Sequence, residues 1–489
     1  MKKRIKKLII LPLFILLTPL FAQTFTTGLI LDPVRYQQVD AKPVLLTRNY
    51  TSLPRSISLK QFSPVPESQG NFGTCGGWAI AFAARTISES VEINRTNQRQ
   101  SSNSAFSPID AYLGSYSILN RFPSGLERSS IFRILNHIEE TEGGGTYIFA
   151  VLDYLQSTGA VRRPEAERTN LTLIFRANYQ NLKRYPIAAY VRLFSNPSGT
   201  PGTIDERVLP VKKSLAENKP VIIGMNTPSL SFDSARNVWR PYENPNNRYG
   251  GHAMCVVGYD DNMHGGAFEV MNSWGADWGN NGYIWITYND FARFVFEAYE
   301  IIENLALFRE ATHFGASIEI ELFNSRDGMP VTFDPQGFYR TRTSYPSGTD
   351  FRFLMTNKHP AYVYAFAADS STPNVTRIFP EPGVSPVLDY TESTIAWPGE
   401  FEWIRLDDTV GTDYLIVLYS KETLDINAIE QRFANERGTF PERVARAVGQ
   451  NFIPFGNAEY NNEKIEFSAE SLDPKSVFGL LLAIDHRAR

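Results

Sequence analysis

Four short apolar segments follow one another between Pro220 and Tyr288: "PVIIGMNT", "HAMCVVGYD", "AFEVMNSWG" and "GYIWITY". Each is rich in β-branched and aromatic residues, too short for a typical helix, and bounded by Asn, Asp, Gly or Pro, which reads as a strand. The middle two flank a turn at 260–266 and pair as an antiparallel hairpin centred near Met263. In that register Asn272 faces Met254. His252 shares Met254's face and is a diagonal neighbour of Asn272, while Cys255 has the opposite parity and points into the core.

A sheet of this kind needs helices to cover it, and the preceding residues supply them. In "CGGWAIAFAARTISESV" the residues Trp78, Ala79, Phe82, Ala83 and Ile87 recur every three or four positions, which predicts a helix from Cys75 to about Val91 with one buried face. A second helix opens at Ser107-Pro108, a capping residue followed by proline in the first turn. "TEGGGTYIFAVLDYLQSTGAV" is a glycine-rich loop feeding a helix that stops at Gly159. Helices followed by strands make an α+β domain over 52–308. After 309 the texture changes to short β runs ("SIEIELF", "YVYAFAADS", "DYLIVLYS") with one helical stretch near 425–448, which predicts a separate all-β, sandwich-like domain over 309–489.

The first 22 residues, "MKKRIKKLIILPLFILLTPLFA", have a basic start, a short apolar run and a small terminal residue, the pattern of a cleaved export leader. Pro12 and Pro19 interrupt the run, and no later stretch is apolar enough for a membrane span. Residues 23–51 read as an extended lead-in without clear periodicity. Removing Lys2, Lys3, Arg4, Lys6 and Lys7 with the leader leaves 43 of 48 basic side chains against 52 acidic ones, a net charge of −9. A mildly acidic chain without a basic block is a poor nucleic-acid binder, and that class is excluded.

Exported proteins usually pair their cysteines, but this chain has only Cys75 and Cys255. Cys75 stands at a helix N-terminus, where backbone N–H groups favour a thiolate, and is flanked by Gly73, Gly76 and Gly77. A nucleophilic cysteine needs a base and a group to orient it. Of six histidines only His252 stands in a strand behind two glycines, and the hairpin register brings Asn272 to it. Free thiols in two different roles therefore fit better than a disulfide. Gln69, six residues before Cys75, can combine its amide with the Cys75 N–H to stabilise an oxyanion. His313, His359 and His486 are scattered without metal-ligand spacing, so neither a metal nor another cofactor is expected.

Together these residues resemble the papain family of cysteine peptidases, in bacterial, exported form. The resemblance runs from "LPRSISLKQFSPVPESQGNFGTCGGWA" through "EGGGTYIFAVLDYLQSTGAV" and "GGHAMCVVGYDD" to "NSWGADWGNNGYIWI". It implies a papain-like fold, with a helical half and an antiparallel β half, and an endopeptidase acting on peptides or proteins. By resemblance Cys75 is the nucleophile, His252 the acid/base, Asn272 its orienter and Gln69 an oxyanion donor. Gly73, Gly144 and Gly145 line the substrate backbone, and Trp274 shields the His–Asn pair on the leaving-group side. There are departures. Phe72 stands where many relatives carry a disulfide cysteine, and the nucleophile and histidine lie 177 residues apart, beyond the usual span of about 130–150. No long inhibitory pro-segment precedes the domain, so activation by its removal is not expected. The alternatives are a catalytically inactive papain-fold scaffold of the cell envelope and a transglutaminase-type transferase, which the NSWG block and Gln69 disfavour. The C-terminal domain would supply any envelope partner, with the protein in the periplasm or outside the cell.

Overall fold

A computed structural model describes residues 25–164, 167, 179–303, 312–390, 392–454, 457–471, 473 and 475–489. The leader predicted at 1–22 and the domain boundary predicted at 308–309 lie outside the described residues. Among the described residues no helix is long and apolar enough to cross a membrane.

The lead-in is more structured than its sequence suggests. Its helix α1 (Pro33–Gln38) is capped by Asp32, whose side chain accepts from the Val34 and Arg35 amides. Helix α2 runs over 75–92 as three continuous segments, Cys75–Gly77, Trp78–Arg85 with π-type winding, and Thr86–Glu92. Its middle segment is buried on every side, because helices and sheet surround it. Helix α3 (Pro108–Ile118) starts where the Ser107-Pro108 signal places it, with the Ser107 hydroxyl accepting from the Asp110 amide. Helices α4 (Ile131–Glu142) and α5 (Ile148–Ser157) bracket the glycine loop. Gly143, Gly144 and Gly145 all have positive φ, the left-handed backbone that glycine adopts without strain.

The strand half is one sheet built from β1 (Ala189–Arg192), β2 (Val221–Thr227), β3 (Gly250–Asp260), β4 (Ala267–Met271), β5 (Tyr283–Thr287) and β6 (Val295–Ile302). Its order is β1-β6-β2-β3-β4-β5, antiparallel throughout, with a short parallel strand, Val238–Trp239, at the β5 edge. The hairpin pairs Cys255 with Met271, the register read from the sequence. A bulge between Val256 and Gly258 shifts the far half, so that Gly258 faces Glu269. The register therefore holds at the end that carries His252 and Asn272.

The described residues from 312 onward form two sheets. One is built on β7 (Thr312–Leu322), β8 (Asp350–Asn357) and β11 (Ile465–Ser471), the other on β9 (Ala361–Asp369), β10 (Gly411–Ser420) and β12 (Val477–Arg487). Both contribute to one buried cluster that includes Phe314, Met355, Val363, Val417, Phe467 and Leu480. The predicted helical stretch is two helices, Ile426–Asn435 and Phe440–Val448, separated around Gly438 with its φ of 113°. They cover the outer face of the second sheet in a cluster that also takes in Val191 of β1 and Ile302 of β6.

The lead-in is threaded between the two halves. Lys42 donates its amide to the Arg192 carbonyl at 2.9 Å, while Ala41 exchanges backbone bonds with Gly383 and Ser385, each at 2.8 Å. Leu46 donates to the Thr394 carbonyl at 3.0 Å. At the same seam Lys42 and Lys219 share Asp389 and Glu300. The Lys42 ammonium also sits 3.4 Å from the centre of the Tyr390 ring. Asp389→Ala leaves two buried ammonium groups short of a counter-charge, and the expected loss of stability is about 3–5 kcal/mol, the usual cost of breaking a buried pair. A denaturant midpoint shift equivalent to under about 0.5 kcal/mol, the size of an ordinary surface change, would contradict this.

Candidate active site

Cys75 is the first residue of α2 and is fully buried. Its thiol is closed in by the backbone of Ala253 on β3 and of Gly28 in the lead-in, and burial pushes its pKa up to about 11. The glycines beside it serve packing rather than access. A Cβ on Gly77 would lie 2.1 Å from the Pro108 carbonyl oxygen, and one on Gly76 would lie 3.1 Å from the Thr146 methyl. They allow α2, α3 and the glycine loop to approach one another closely. Cys255 is buried without a disulfide, and burial raises its thiol pKa as well.

The His252 ring is held on both sides. Its Nε2 lies 2.7 Å from Asn272 Oδ1, and the Trp274 indole stacks on it with centroids 4.7 Å apart. Asn272 is oriented in turn by the Ser273 amide, which donates to the same Oδ1 at 2.7 Å. Burial pushes the imidazole pKa down to about 4, against the opposing effect of the Asn272 bond. With Asn272 Oδ1 as acceptor, Nε2 carries the proton, leaving Nδ1 as the basic nitrogen. That atom is buried without a hydrogen-bond partner.

Gln69 reaches the same place. Its Oε1 accepts from the Ser273 hydroxyl at 2.6 Å, and its Nε2 donates to the carbonyls of Phe72 at 2.8 Å and Thr26 at 3.1 Å. Ser273 therefore links the Gln69 and Asn272 loops, a role not read from the sequence. Gly73, Gly144 and Gly145 converge on the opposite side of Cys75, where Glu139 of α4 accepts from the Gly73 amide at 2.6 Å. Glu139 was also missed, since a charged residue on an amphipathic helix reads as solvent-facing. Among the described residues no group of His, Cys, Asp and Glu is placed to hold a metal ion.

The largest departure from the sequence reading is in the lead-in. Residues 25–31, expected to be featureless, run as a strap through the groove between the glycine loop and β3. Leu29 donates to the Gly251 carbonyl at 2.9 Å, Ile30 to the Thr146 carbonyl at 3.0 Å, and Thr146 back to the Gly28 carbonyl at 2.9 Å. The Thr26 carbonyl accepts from Trp274 Nε1 at 3.1 Å as well as from Gln69. The Phe25 ring lies flat on Trp274 at 4.6 Å. Gly28 crosses so close to Gly73 that a Cβ on it would fall 2.1 Å from the Gly73 oxygen. The strap thus occupies the Thr146 amide and carbonyl on one wall of the groove and the Gly251 carbonyl on the other. The sequence signal was present in "FTTGLIL", which is β-prone around one glycine.

Residues 177–301 match the family model described as papain family cysteine protease. That segment carries His252, Asn272 and Trp274 but not Cys75 or Gln69. A cysteine protease of Blomia tropicalis is 25% identical over 254 residues, which is 51% of this chain and 65% of that protein. An uncharacterized peptidase C1-like protein of Acanthamoeba polyphaga mimivirus is 36% identical over 92 residues, 18% of this chain and 28% of that one. The chain thus covers less than two thirds of either curated relative. Among solved structures, xylellain, a cysteine protease from Xylella fastidiosa, overlaps 57% of this chain and 96% of its own at 19% identity and a TM-score of 0.40. Digestive procathepsin L 3 of Tenebrio molitor larval midgut overlaps 57% and 83% at 14% identity and a TM-score of 0.37.

Proposed function

We propose that this chain is an exported papain-like cysteine endopeptidase whose groove is held shut by its own residues 25–31. The observation that carries this reading is the His252 ring: fixed by Asn272 through Nε2, covered by Trp274, and left with a buried, unpartnered Nδ1 beside the strand residue that touches Cys75. A buried polar atom without a partner is uncommon and calls for a reason. A base awaiting a thiol proton is such a reason, whereas an inactive scaffold gives that atom no use.

In the open groove, Nδ1 takes the Cys75 proton and the thiolate attacks a peptide carbonyl. Gln69 Nε2 and the Cys75 N–H donate to the oxyanion that forms. The imidazolium returns its proton to the leaving amine, giving a thioester and the first product. His252 then deprotonates a water that attacks the thioester, and the collapse restores the thiol and releases the acid. With the strap in place water is excluded, so the thiol at about 11 and the imidazole at about 4 remain a neutral pair over the physiological range. The thiolate fraction is then only about one in a thousand at pH 8.

The C-terminal β region, read as a separate sandwich-like domain over 309–489, supports this latency. It grips the lead-in through Gly383, Ser385, Thr394 and Asp389, just beyond the strap. Protein substrates follow from the activity, and an envelope partner would bind through this same region.

The test is hydrolysis of an internally quenched peptide by the full chain, with Gln69→Ala as the diagnostic variant. Gln69 gives one of two oxyanion donors, so its loss lowers kcat by about 10²–10³-fold. An unchanged kcat in Gln69→Ala would remove Gln69 from the oxyanion site.

A further inference from the structure

Between helix α1, helix α5, strand β1 and the start of β9 lies a cavity of about 430 Å³. That is within the range of a small-molecule site, about 300–1,000 Å³, and such sites favour seams between domains. Among the described residues lining it, none belongs to the site around Cys75. Its walls are fixed without help from the strap. Tyr36 anchors α1: it is fully buried, and its hydroxyl donates to the Ala298 carbonyl and accepts from the Ala298 amide, each at 3.3 Å. On the other side the bonds of Ala41 to Gly383 and Ser385 hold the C-terminal region against residue 40.

The cavity holds charges of both signs that do not neutralise one another. Arg35 of α1 is exposed, donates to Gln38 Oε1 at 3.3 Å, and sets its guanidinium carbon 5.6 Å from the centre of the Phe149 ring on α5. Asp153 of α5 is half-buried and accepts from the Tyr190 hydroxyl at 2.5 Å. Asp40 is exposed at the far side of the same phenol. Burial, then the Asp153 bond and the charges of Asp153 and Asp40, push the Tyr190 pKa up, so it stays a donor. Among the described residues neither Arg35 nor Asp40 nor Asp153 has an ion-pair partner. A plain amine would leave Arg35 unused, and a plain carboxylate would face two acids. A molecule with one charge at each end satisfies all three groups, while Phe149, Tyr190 and the buried Tyr362 offer rings to its apolar part.

We propose that this cavity is a binding site for a short zwitterionic peptide. Its carboxylate pairs with the Arg35 guanidinium, whose planar fork suits two parallel bonds. Its ammonium lies between Asp40 and Asp153, and its side chains rest on the three rings. Short peptides with both ends free are what the proposed peptidase releases, so the site takes that enzyme's product class. The binding itself does not depend on the peptidase reading.

The experiment is calorimetric titration of the full chain with leucylleucine, its N-acetyl derivative and its C-terminal amide. Each derivative removes one end charge and keeps the side chains. The free dipeptide should bind about fivefold more tightly than either, the effect of a charge pair at a site still partly open to water. In Arg35→Gln the advantage over the amide should fall toward unity while the advantage over the N-acetyl form persists. In Asp40→Asn the advantage over the N-acetyl form should shrink while the other persists. Both side chains are exposed, so neither substitution disturbs the fold. No binding of the dipeptide to the unmodified chain, or an unchanged pattern in either variant, would overturn the assignment. Titration reads no hydrolysis, so a failure of the peptidase reading and a failure of this one are separate results.

Discussion

His252→Ala is expected to lower kcat/KM for peptide hydrolysis by about 10⁵–10⁶-fold, the loss that follows removal of the base from a nucleophile–base pair. The size follows from the state of the thiol. Burial holds Cys75 in the protonated form, and in the proposed mechanism His252 Nδ1 is the acceptor of its proton. In that mechanism the same ring returns the proton to the leaving amine and later activates water, so all three transfers fail together. Asn272→Ala should cost one to two orders of magnitude less, because Trp274 still stacks on the imidazole and limits its rotation. Steady-state kinetics of the two variants on one peptide checks both points. Equal losses would mean that the asparagine does more than orient the ring.

The second large effect runs the other way. Gly28→Val should raise peptide turnover and the rate of Cys75 alkylation by about 10–100-fold, from the 1–3 kcal/mol typical of overpacking. Gly28 has no room for a side chain: its Cβ would fall 2.1 Å from the Gly73 oxygen and 2.3 Å from the Gly73 Cα, both backbone atoms that cannot swing aside. The strap must lift, and with it go the bonds to Gly251 and Thr146 and the Thr26 carbonyl on Gln69. Water then reaches Cys75 and His252, so the thiol falls from about 11 and the imidazole rises from about 4 toward ordinary values. The pH at which alkylation becomes fast should drop accordingly. A pH–alkylation profile identical in Gly28→Val and the unmodified chain would show that the strap does not control the site.

What the sequence made legible, and what it did not, divides along one physical line. Local periodicity placed α2, and the Ser107-Pro108 cap placed the start of α3. A period of two together with a short turn fixed the register that sets Asn272 opposite Met254 and diagonal to His252, because a slip of one residue would have turned His252 to the other face. The strap escaped notice because its order comes from partners far away in the chain, Gly73, Thr146 and Gly251, and a seven-residue segment carries no signature of where it will dock. The packing role of Gly76 and Gly77 is hidden from the sequence for the same reason. Their neighbours are Thr146 and Pro108, contacts that only the packed helices create. Glu139 and Ser273 read as ordinary polar positions, and their roles come from bonds to residues distant in the sequence, Gly73 and Gln69. The C-terminal region was legible as β-rich from its alternation. Its grip on residues 41–46 was not, since one turn at 383–385 and one strand end at Thr394 supply it.

The most direct test of a Cys75–His252 peptidase site closed by residues 25–31 is the rate at which a peptidyl epoxide labels the full chain, followed by intact mass and peptide mapping in parallel with Gly28→Val. The account predicts a single adduct on Cys75 and none on Cys255. Labelling should be slow in the unmodified chain and about 10–100-fold faster in Gly28→Val. Equal rates in the two proteins, an adduct on Cys255, or no adduct in either would contradict it.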